Sequence, residues 1–212
     1  MRYLMLNELL SRYPSLSACQ ADIERARDAI IASYEAGGQV LLCGNGGSCA
    51  DCDHIVGELM KGFLKKRPLC EKKKAAMKAA SSALDDAVLA KLQAGLPAIS
   101  LPAIAGLNSA FCNDVDPELI YAQSVLGLGK CGDVLVALST SGNAKNVSHA
   151  VAVAKALGMT VIGLTGARGG LLKEAADITI AVPECETFKV QELHLPVYHY
   201  LCAAVEAHFF AE

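Results

Sequence analysis

Two pairs of residues, far apart in the chain, have the types and spacing for acid–base or metal chemistry. His54 and Glu58 are four positions apart in a predicted helix, so their side chains share a face of it. Gln191 and His199 are eight positions apart in the last predicted helix, about two turns, and share a face unless Pro196 kinks that helix. Together they could bind a zinc-like metal or act as acid and base in a proton transfer. The spacing alone does not distinguish these uses from ordinary surface or core positions.

Two loops have the composition of phosphate-binding turns. The first, GNGGS (44–48), joins a predicted strand to a predicted helix, where glycines let a ligand approach the backbone and free helical N–H groups point at it. Taken alone, it is equally typical of a plain glycine turn with a Ser cap. The second, STSGN (139–143), places three adjacent hydroxyls at an equivalent position, which suits a phosphate bound without Lys or Arg. Neither loop matches a nucleotide-binding motif, so the pair favours a monophosphorylated small molecule.

Short apolar runs alternate with helical patterns around these loops. The runs that predict strands are 39–43, 96–103, 133–139, 159–166 and 177–183. The patterns that predict helices are 16–36, 48–64, 106–129, 143–158, 169–176 and 186–210, with one or two solvent-facing helices inserted at 71–95. This alternation predicts an α/β fold with a parallel sheet covered on both faces, in which ligands bind beyond the carboxyl ends of the strands. Because no linker divides the chain, we expect residues 1–212 to form one domain.

Composition excludes several classes of protein. The chain is 53% hydrophobic and 19% charged, which is typical of a folded domain and not of a disordered chain. No apolar run reaches the ~18 residues of a membrane span, and the N-terminal MRYLMLNELLSRYP does not resemble a signal peptide. The net charge of −3 gives no support for nucleic-acid binding. Nine cysteines, an odd number, predict reduced thiols and a cytoplasmic location.

Four further residues are weaker candidates for chemistry. Cys49 and Cys52 have a ligand-like spacing, but no second CxxC motif follows, so small buried residues are the better interpretation. Glu192 and His194 stand close enough to Gln191 and His199 to be confused with them.

Several of these stretches together resemble one family. The segments are CGNGGSCADCDHIVGELMKGF, NDVDPELIYAQSVLGLGKCGDVLVALSTSGN, GMTVIGLTGARGG and VQELHLPVYHYLC. They resemble the sugar isomerase (SIS) domain family over about residues 20–210 and are most similar to its phosphoheptose isomerase branch. The resemblance implies a three-layer α/β/α sandwich, flavodoxin-like, with a mostly parallel five-stranded sheet. It also implies a homotetramer with active sites between subunits.

The same resemblance implies a role for each residue of the site. Glu58 would be the general base and His199 the general acid. The phosphate would be bound by Ser48, Ser139, Thr140 and Ser141. The sugar site would include Asn45, Gly46, Gly47, Asn113, Asp114 and Gln191. Zinc would be held by His54, Glu58, Gln191 and His199, which leaves Glu58 with the conflicting roles of base and ligand.

The implied reaction interconverts sedoheptulose 7-phosphate and D-glycero-D-manno-heptose 7-phosphate through an enediol. Three features depart from the branch: Ala144 replaces the last Ser of SGNS, 71–95 is an insertion, and TFKV (187–190) replaces the usual residues before Gln191. These departures leave the reaction class intact and the preferred sugar open.

Two alternatives from different classes stay open. The chain could isomerise another phosphosugar, because the phosphate loops would be the same. It could also be a non-catalytic SIS protein that binds a sugar phosphate or a replication-initiator protein; the presence of both Glu58 and His199 favours the enzyme. A sugar-phosphate-sensing regulator would need a DNA-binding module, for which the first ~35 residues are too short.

Overall fold

The computed structural model describes residues 2–210, and its centre is a five-stranded parallel sheet. The strands are β1 (Val40–Cys43), β2 (Ala98–Ser100), β3 (Val134–Leu138), β4 (Thr160–Gly166) and β5 (Ile178–Val182). Their order is β2-β1-β3-β4-β5, and every adjacent pair is parallel. This order is that of the flavodoxin-like doubly wound sheet. The predicted parallel sheet is therefore confirmed.

Ten α-helices surround the sheet within residues 2–210. They are α1 (Arg2–Arg12), α2 (Gln20–Glu35), α3 (Gly47–Met60), α4 (Glu71–Ala80), α5 (Asp86–Leu89), α6 (Ala105–Asp114), α7 (Ile120–Leu128), α8 (Lys145–Ala156), α9 (Gly170–Ala175) and α10 (Thr187–Phe209). Short 3-10 segments occupy Pro14–Cys19, Leu101–Ala103 and Pro117–Leu119.

The two faces of the sheet bury separate hydrophobic clusters. Along β1, Val40 and Leu42 pack on one face while Leu41 and Cys43 pack on the other, because strand side chains alternate. The first face is covered by α1, α2, α3 and α10. The second is covered by α7, α8 and α9. Both faces of β1 and β3 are buried, which explains why these strands are continuously apolar in the sequence.

Several predicted boundaries differ from those observed. The helix predicted from residue 16 begins as a 3-10 segment, and α2 starts at Gln20. The helix predicted to reach residue 64 ends at Met60, because the N–H groups of Phe63, Leu64 and Lys65 donate to the Glu206 carboxylate instead of to helical carbonyls. The pattern at 106–129 forms two helices separated by a turn at Pro117. Pro196 does not break α10, which is continuous from Thr187 to Phe209.

The segment 71–95 is helical and exposed, as predicted. None of the α4 side chains is buried. The short α5 helix is capped by Asp85, whose carboxylate accepts from the Val88 N–H at 2.8 Å, and it buries only Leu89. Within residues 2–210, no helix has the length and apolar character needed to cross a membrane.

Candidate active site

The loops after β1 and β3 meet at the carboxyl edge of the sheet. From β1 the chain passes to β2 on one side, and β3 then lies on the other side of β1. A ligand-binding crevice is expected at such a switch point, beyond the carboxyl ends of the two strands. GNGGS follows β1 and STSGN follows β3, so both predicted phosphate loops lie there.

A cavity of about 290 Å³ lies between the two loops. Its lining brings together the four residues predicted to bind the phosphate and several of the residues predicted to bind the sugar. The lining residues are Asn45, Gly46, Gly47, Ser48, Leu138, Ser139, Thr140, Ser141, Ala144, Thr187 and Gln191. None of these described residues is a lysine or an arginine, as expected for phosphate binding by neutral donors. Ala144, which replaces a Ser of the resembling branch, lies in this lining.

Two positions of the first loop require glycine for geometric reasons. Gly46 has a φ of 57°, a left-handed conformation that side chains disfavour, and it precedes the first residue of α3. At Gly47, an added Cβ would lie 2.5 Å from Nε2 of Gln191. The absence of a side chain at Gly47 therefore lets Gln191 of α10 reach the loop and the start of α3.

The second loop is held by hydrogen bonds of its own backbone and of Asn143. The Gly142 N–H donates to the Ser139 carbonyl at 3.0 Å, and the Asn143 N–H donates to Ser141 Oγ at 3.2 Å. Asn143 Oδ1 accepts from the Leu171 N–H at 3.1 Å, which ties the loop to α9. The lining hydroxyls and the N-termini of α3 and α8 can thus donate to an anion in the cavity.

The predicted acid–base residues form a second group, built from α3 and α10. His54 Nε2 lies 3.3 Å from Glu58 Oε1 and 3.4 Å from His199 Nε2. Glu58 Oε2 is buried and has no hydrogen-bond partner within the described part of the chain. Lys61 Nζ lies 3.6 Å from this oxygen, beyond hydrogen-bond distance. The pKa of His199 is lowered, mainly by burial and to a smaller extent by the nearby His54.

Tyr198 and Asp51 orient His54, and they were not among the predicted site residues. The Tyr198 hydroxyl donates to Asp51 Oδ1 at 3.2 Å, so its oxygen accepts from His54 Nδ1 at 3.0 Å. In neutral His54 this leaves Nε2 unprotonated and facing Glu58 and His199. The sequence held a signal for Asp51, which stands three positions before His54 on the same helix.

The donor atoms of this group fit zinc in part. Two ligands at the usual Zn–N distance on a tetrahedral ion are about 3.3 Å apart, close to the two separations around His54 Nε2. Between Arg2 and Phe210, however, no group of three or more His, Cys, Asp or Glu side chains is arranged to hold a metal ion. Gln191, the fourth predicted ligand, lines the phosphate cavity beside Gly47, about 12 Å along α10 from His199. One chain therefore brings together three of the four predicted ligand residues without completing a metal site.

The remaining candidates lie outside both groups. Asn113 and Asp114 are exposed at the end of α6, where Asn113 Nδ2 donates to Asp114 Oδ1 at 2.7 Å, and neither lines the phosphate cavity. Glu192 is exposed. His194 is fully buried, with Nε2 3.4 Å from the Thr165 carbonyl, so it belongs to the core.

Cys49 and Cys52 form no metal-like pair. Cys52 is buried and Cys49 half-buried, and both are free thiols. Burial raises the pKa of the Cys52 thiol well above its usual value, which disfavours the thiolate that a metal would need.

Comparisons with known proteins identify the family. The sequence model of the SIS domain matches residues 6–94 and 89–166. The chain is 38% identical over 192 residues to the phosphoheptose isomerase of Burkholderia pseudomallei, an overlap of 91% of this chain and 84% of that protein. It is 39% identical over 191 residues to that of Rhodospirillum rubrum, with 90% and 88% covered. The solved phosphoheptose isomerase from Francisella tularensis superimposes with a TM-score of 0.75 at 30% identity, covering 92% of this chain and 90% of that one. This chain therefore belongs to the SIS domain family and, within it, to the phosphoheptose isomerases.

Proposed function

We propose that this aldose–ketose isomerase interconverts sedoheptulose 7-phosphate and D-glycero-D-manno-heptose 7-phosphate, with Glu58 as the base and His199 as the acid. One observation carries the assignment. Glu58 is a largely buried carboxylate, beside two imidazoles, whose Oε2 makes no hydrogen bond within residues 2–210. A carboxylate oxygen without a hydrogen-bond partner is available to take a proton.

The phosphate is held by neutral donors in the cavity between the loops. Ser48 lies in the first turn of α3, Ser139 directly follows β3, and Thr140 and Ser141 continue the second loop. Hydroxyl and backbone N–H donors at two helix N-termini favour a dianion by direct hydrogen bonds and by the helix dipoles. The phosphate thereby anchors one end of an extended sugar and leaves C1 and C2 free to reach the acid–base group.

Glu58 removes a proton from C1 of the ketose. The C1–H electron pair becomes the C1–C2 double bond, and the ketone oxygen gains a proton to give the enediol. In the second half, His199 returns a proton at C2, and the C1 hydroxyl loses its proton to become the aldehyde. Exchange with solvent then restores both side chains.

We propose a zinc ion held by His54, Glu58 and His199, with Gln191 supplied by a second copy of the chain. The separations of His54 Nε2 from Glu58 Oε1 and from His199 Nε2 are both near the tetrahedral value, which supports His54 as a ligand beside each of the other two. Gln191 and His199 of one helix are about 12 Å apart along its axis, too far to share one ion, which supports a site completed between copies. When bound, zinc would polarise the substrate oxygens as a Lewis acid. A homotetramer in the cytoplasm accords with this arrangement and with nine free cysteines.

The test is proton NMR of the zinc-supplemented protein with sedoheptulose 7-phosphate in heavy water. New aldose anomeric signals with deuterium uptake would support the enediol route. Glu58→Gln and His199→Ala should abolish turnover while leaving the fold and the oligomer intact. Full activity in either variant would refute its assigned role. If the wild type gives no turnover but is thermally stabilised by the ligand, a different phosphosugar or a non-catalytic function is indicated.

A further inference from the structure

The side chain of Asn45, in the first phosphate loop, is bonded to Asn146 at the start of α8. Asn45 Nδ2 donates to Asn146 Oδ1 at 2.9 Å, and Asn146 Nδ2 donates back to Asn45 Oδ1 at 2.9 Å. The two amides therefore form a closed, reciprocal pair. It links the loop after β1 to the helix that follows the second phosphate loop.

The orientation of both amides follows from a backbone group. The Val147 N–H, a free donor in the first turn of α8, donates to Asn146 Oδ1 at 2.9 Å. Because an N–H can pair only with the oxygen, Asn146 must present Nδ2 to Asn45, and Asn45 must present Oδ1 in return. The pair thus has one consistent arrangement, which is set by the helix terminus.

Tyr121 of α7 fixes the same loop from a third element. Its buried hydroxyl donates to the Gly44 carbonyl at 2.7 Å and lies 3.2 Å from Asn45 Oδ1. Because the single Tyr121 hydroxyl hydrogen goes to the Gly44 carbonyl, Asn146 Nδ2 is the donor to Asn45 Oδ1. The Asn45 side chain therefore keeps one Nδ2 hydrogen and one Oδ1 lone pair for the cavity that this residue lines.

We infer that Asn146 and Tyr121 are positioning residues that hold the two phosphate loops at a fixed separation before the substrate binds. The inference rests on the proposed function, since it takes the cavity between the loops as the phosphate site. We call the reciprocal Asn45–Asn146 pair the amide clamp. A site formed in advance does not have to order its loops when the substrate arrives, so the clamp raises the affinity for the phosphosugar. Its loss should raise KM for the phosphosugar and the inhibition constant of inorganic phosphate by the same factor. The turnover number should change little, because neither residue lies in the acid–base group.

The experiment compares Asn146→Ala with His149→Ala, an exposed position on the same helix. For Asn146→Ala we expect KM and the phosphate inhibition constant each to rise roughly tenfold, the effect of losing one to two hydrogen bonds, with kcat within about twofold of wild type. For Tyr121→Phe we expect a smaller rise in both constants. His149→Ala should match the wild type, and ligand-free melting curves would show that each variant is folded.

A double-substitution cycle separates a clamp from two independent contacts. If Asn45 and Asn146 act as one unit, the double alanine variant should raise KM no more than the larger single substitution; independent roles would multiply. The inference would be wrong if the KM increases of the two single variants multiplied in the double variant. It would also be wrong if Asn146→Ala left KM and the phosphate inhibition constant unchanged. If the wild type shows no turnover, the proposed function fails instead, and phosphate-induced thermal stabilisation of wild type and Asn146→Ala would still test the clamp.

Discussion

Arg67 and Glu206 form a fully buried ion pair, with Arg67 Nε 2.8 Å from Glu206 Oε1. The rest of the guanidinium donates to the Glu58 and Leu59 carbonyls at 3.1 and 2.6 Å. The pair therefore connects the last turn of α3, which carries the proposed base, to α10, which carries the proposed acid. Every charged oxygen and most of the donors have partners, as a buried pair requires.

Replacing Glu206 with Gln should destabilise the fold strongly. The change leaves the Arg67 guanidinium buried without a counter-charge, which costs about 3 kcal/mol or more in the free energy of unfolding. Urea unfolding would measure it. Glu71→Gln, at an exposed pair on α4, is the matched control and should stay within about 0.5 kcal/mol of wild type. Equal effects of the two substitutions would contradict the importance of the buried pair.

Buried His194 should make the fold less stable in acid. Burial lowers its pKa from 6.5 to about 4 in the folded chain. Below pH 6.5 the unfolded chain therefore binds a proton that the folded chain does not. Stability is complete above the unfolded value and is lost as the pH falls toward 4.

The contribution of His194 is separable from that of the carboxylates. Between pH 6.5 and about 4, protonation of His194 in the unfolded chain lowers the free energy of unfolding by as much as about 1.4 kcal/mol per pH unit. His194→Gln keeps an N–H donor for the Thr165 carbonyl without a titrating group. Denaturant unfolding across pH 4–8 should give a wild-type curve that falls more steeply than that of the variant below pH 6.5. Parallel curves would show that His194 does not titrate as described.

Restoring a hydroxyl at residue 144 should tighten phosphate binding. Ala144 lines the cavity and is the N-cap of α8. In Ala144→Ser, the new O–H can donate to a phosphate oxygen while its oxygen accepts a helical N–H. We expect KM and the phosphate inhibition constant to fall about threefold to tenfold, and ligand-free stability to rise by about 1 kcal/mol. A gain in stability alone would mean that the hydroxyl does not reach the phosphate.

Adding a methyl group at Gly47 should displace Gln191. An added Cβ would lie 2.5 Å from Gln191 Nε2, so the side chain or the loop must move. Gly47→Ala should raise KM at least as much as Gln191→Ala does. Combining the two substitutions removes the clash, so the double variant should be no worse than Gln191→Ala alone. Gly127→Ala, at an open position in α7, is the control for an added methyl group. A double variant clearly worse than Gln191→Ala would place the strain elsewhere in the loop.

Much of the fold could be predicted because its signals are local. Continuous apolar runs indicated all five strands, and the two loops were recognisable because glycines and hydroxyls follow strands directly. The spacing of His54 and Glu58 likewise placed them on one face of a helix. What failed depended on tertiary contacts. The early end of α3 follows from Glu206, a residue 146 positions beyond Met60.

The amide clamp could not be predicted for the same reason. Asn45 and Asn146 are separated by 101 positions and meet only because β1 and β3 are neighbours. Gln191 was correctly singled out as a polar residue on the face of α10 that carries His199. The pattern did not show that about 12 Å along the helix axis would place the two residues in different groups.

The inserted segment leaves and re-enters the fold at almost one point. The Gly62 N–H donates to Gln93 Oε1 at 2.6 Å, the Ala94 N–H to the Arg67 carbonyl at 2.8 Å and the Leu96 N–H to the Leu59 carbonyl at 3.0 Å. Because the entropy of closing a loop grows slowly with its length, the α4 helix between these ties, which buries no side chain, can be shortened, extended or exchanged at little thermodynamic cost. The α4 helix is thus a natural grafting point, where an epitope, an affinity tag or a reporter peptide could be displayed on a working isomerase.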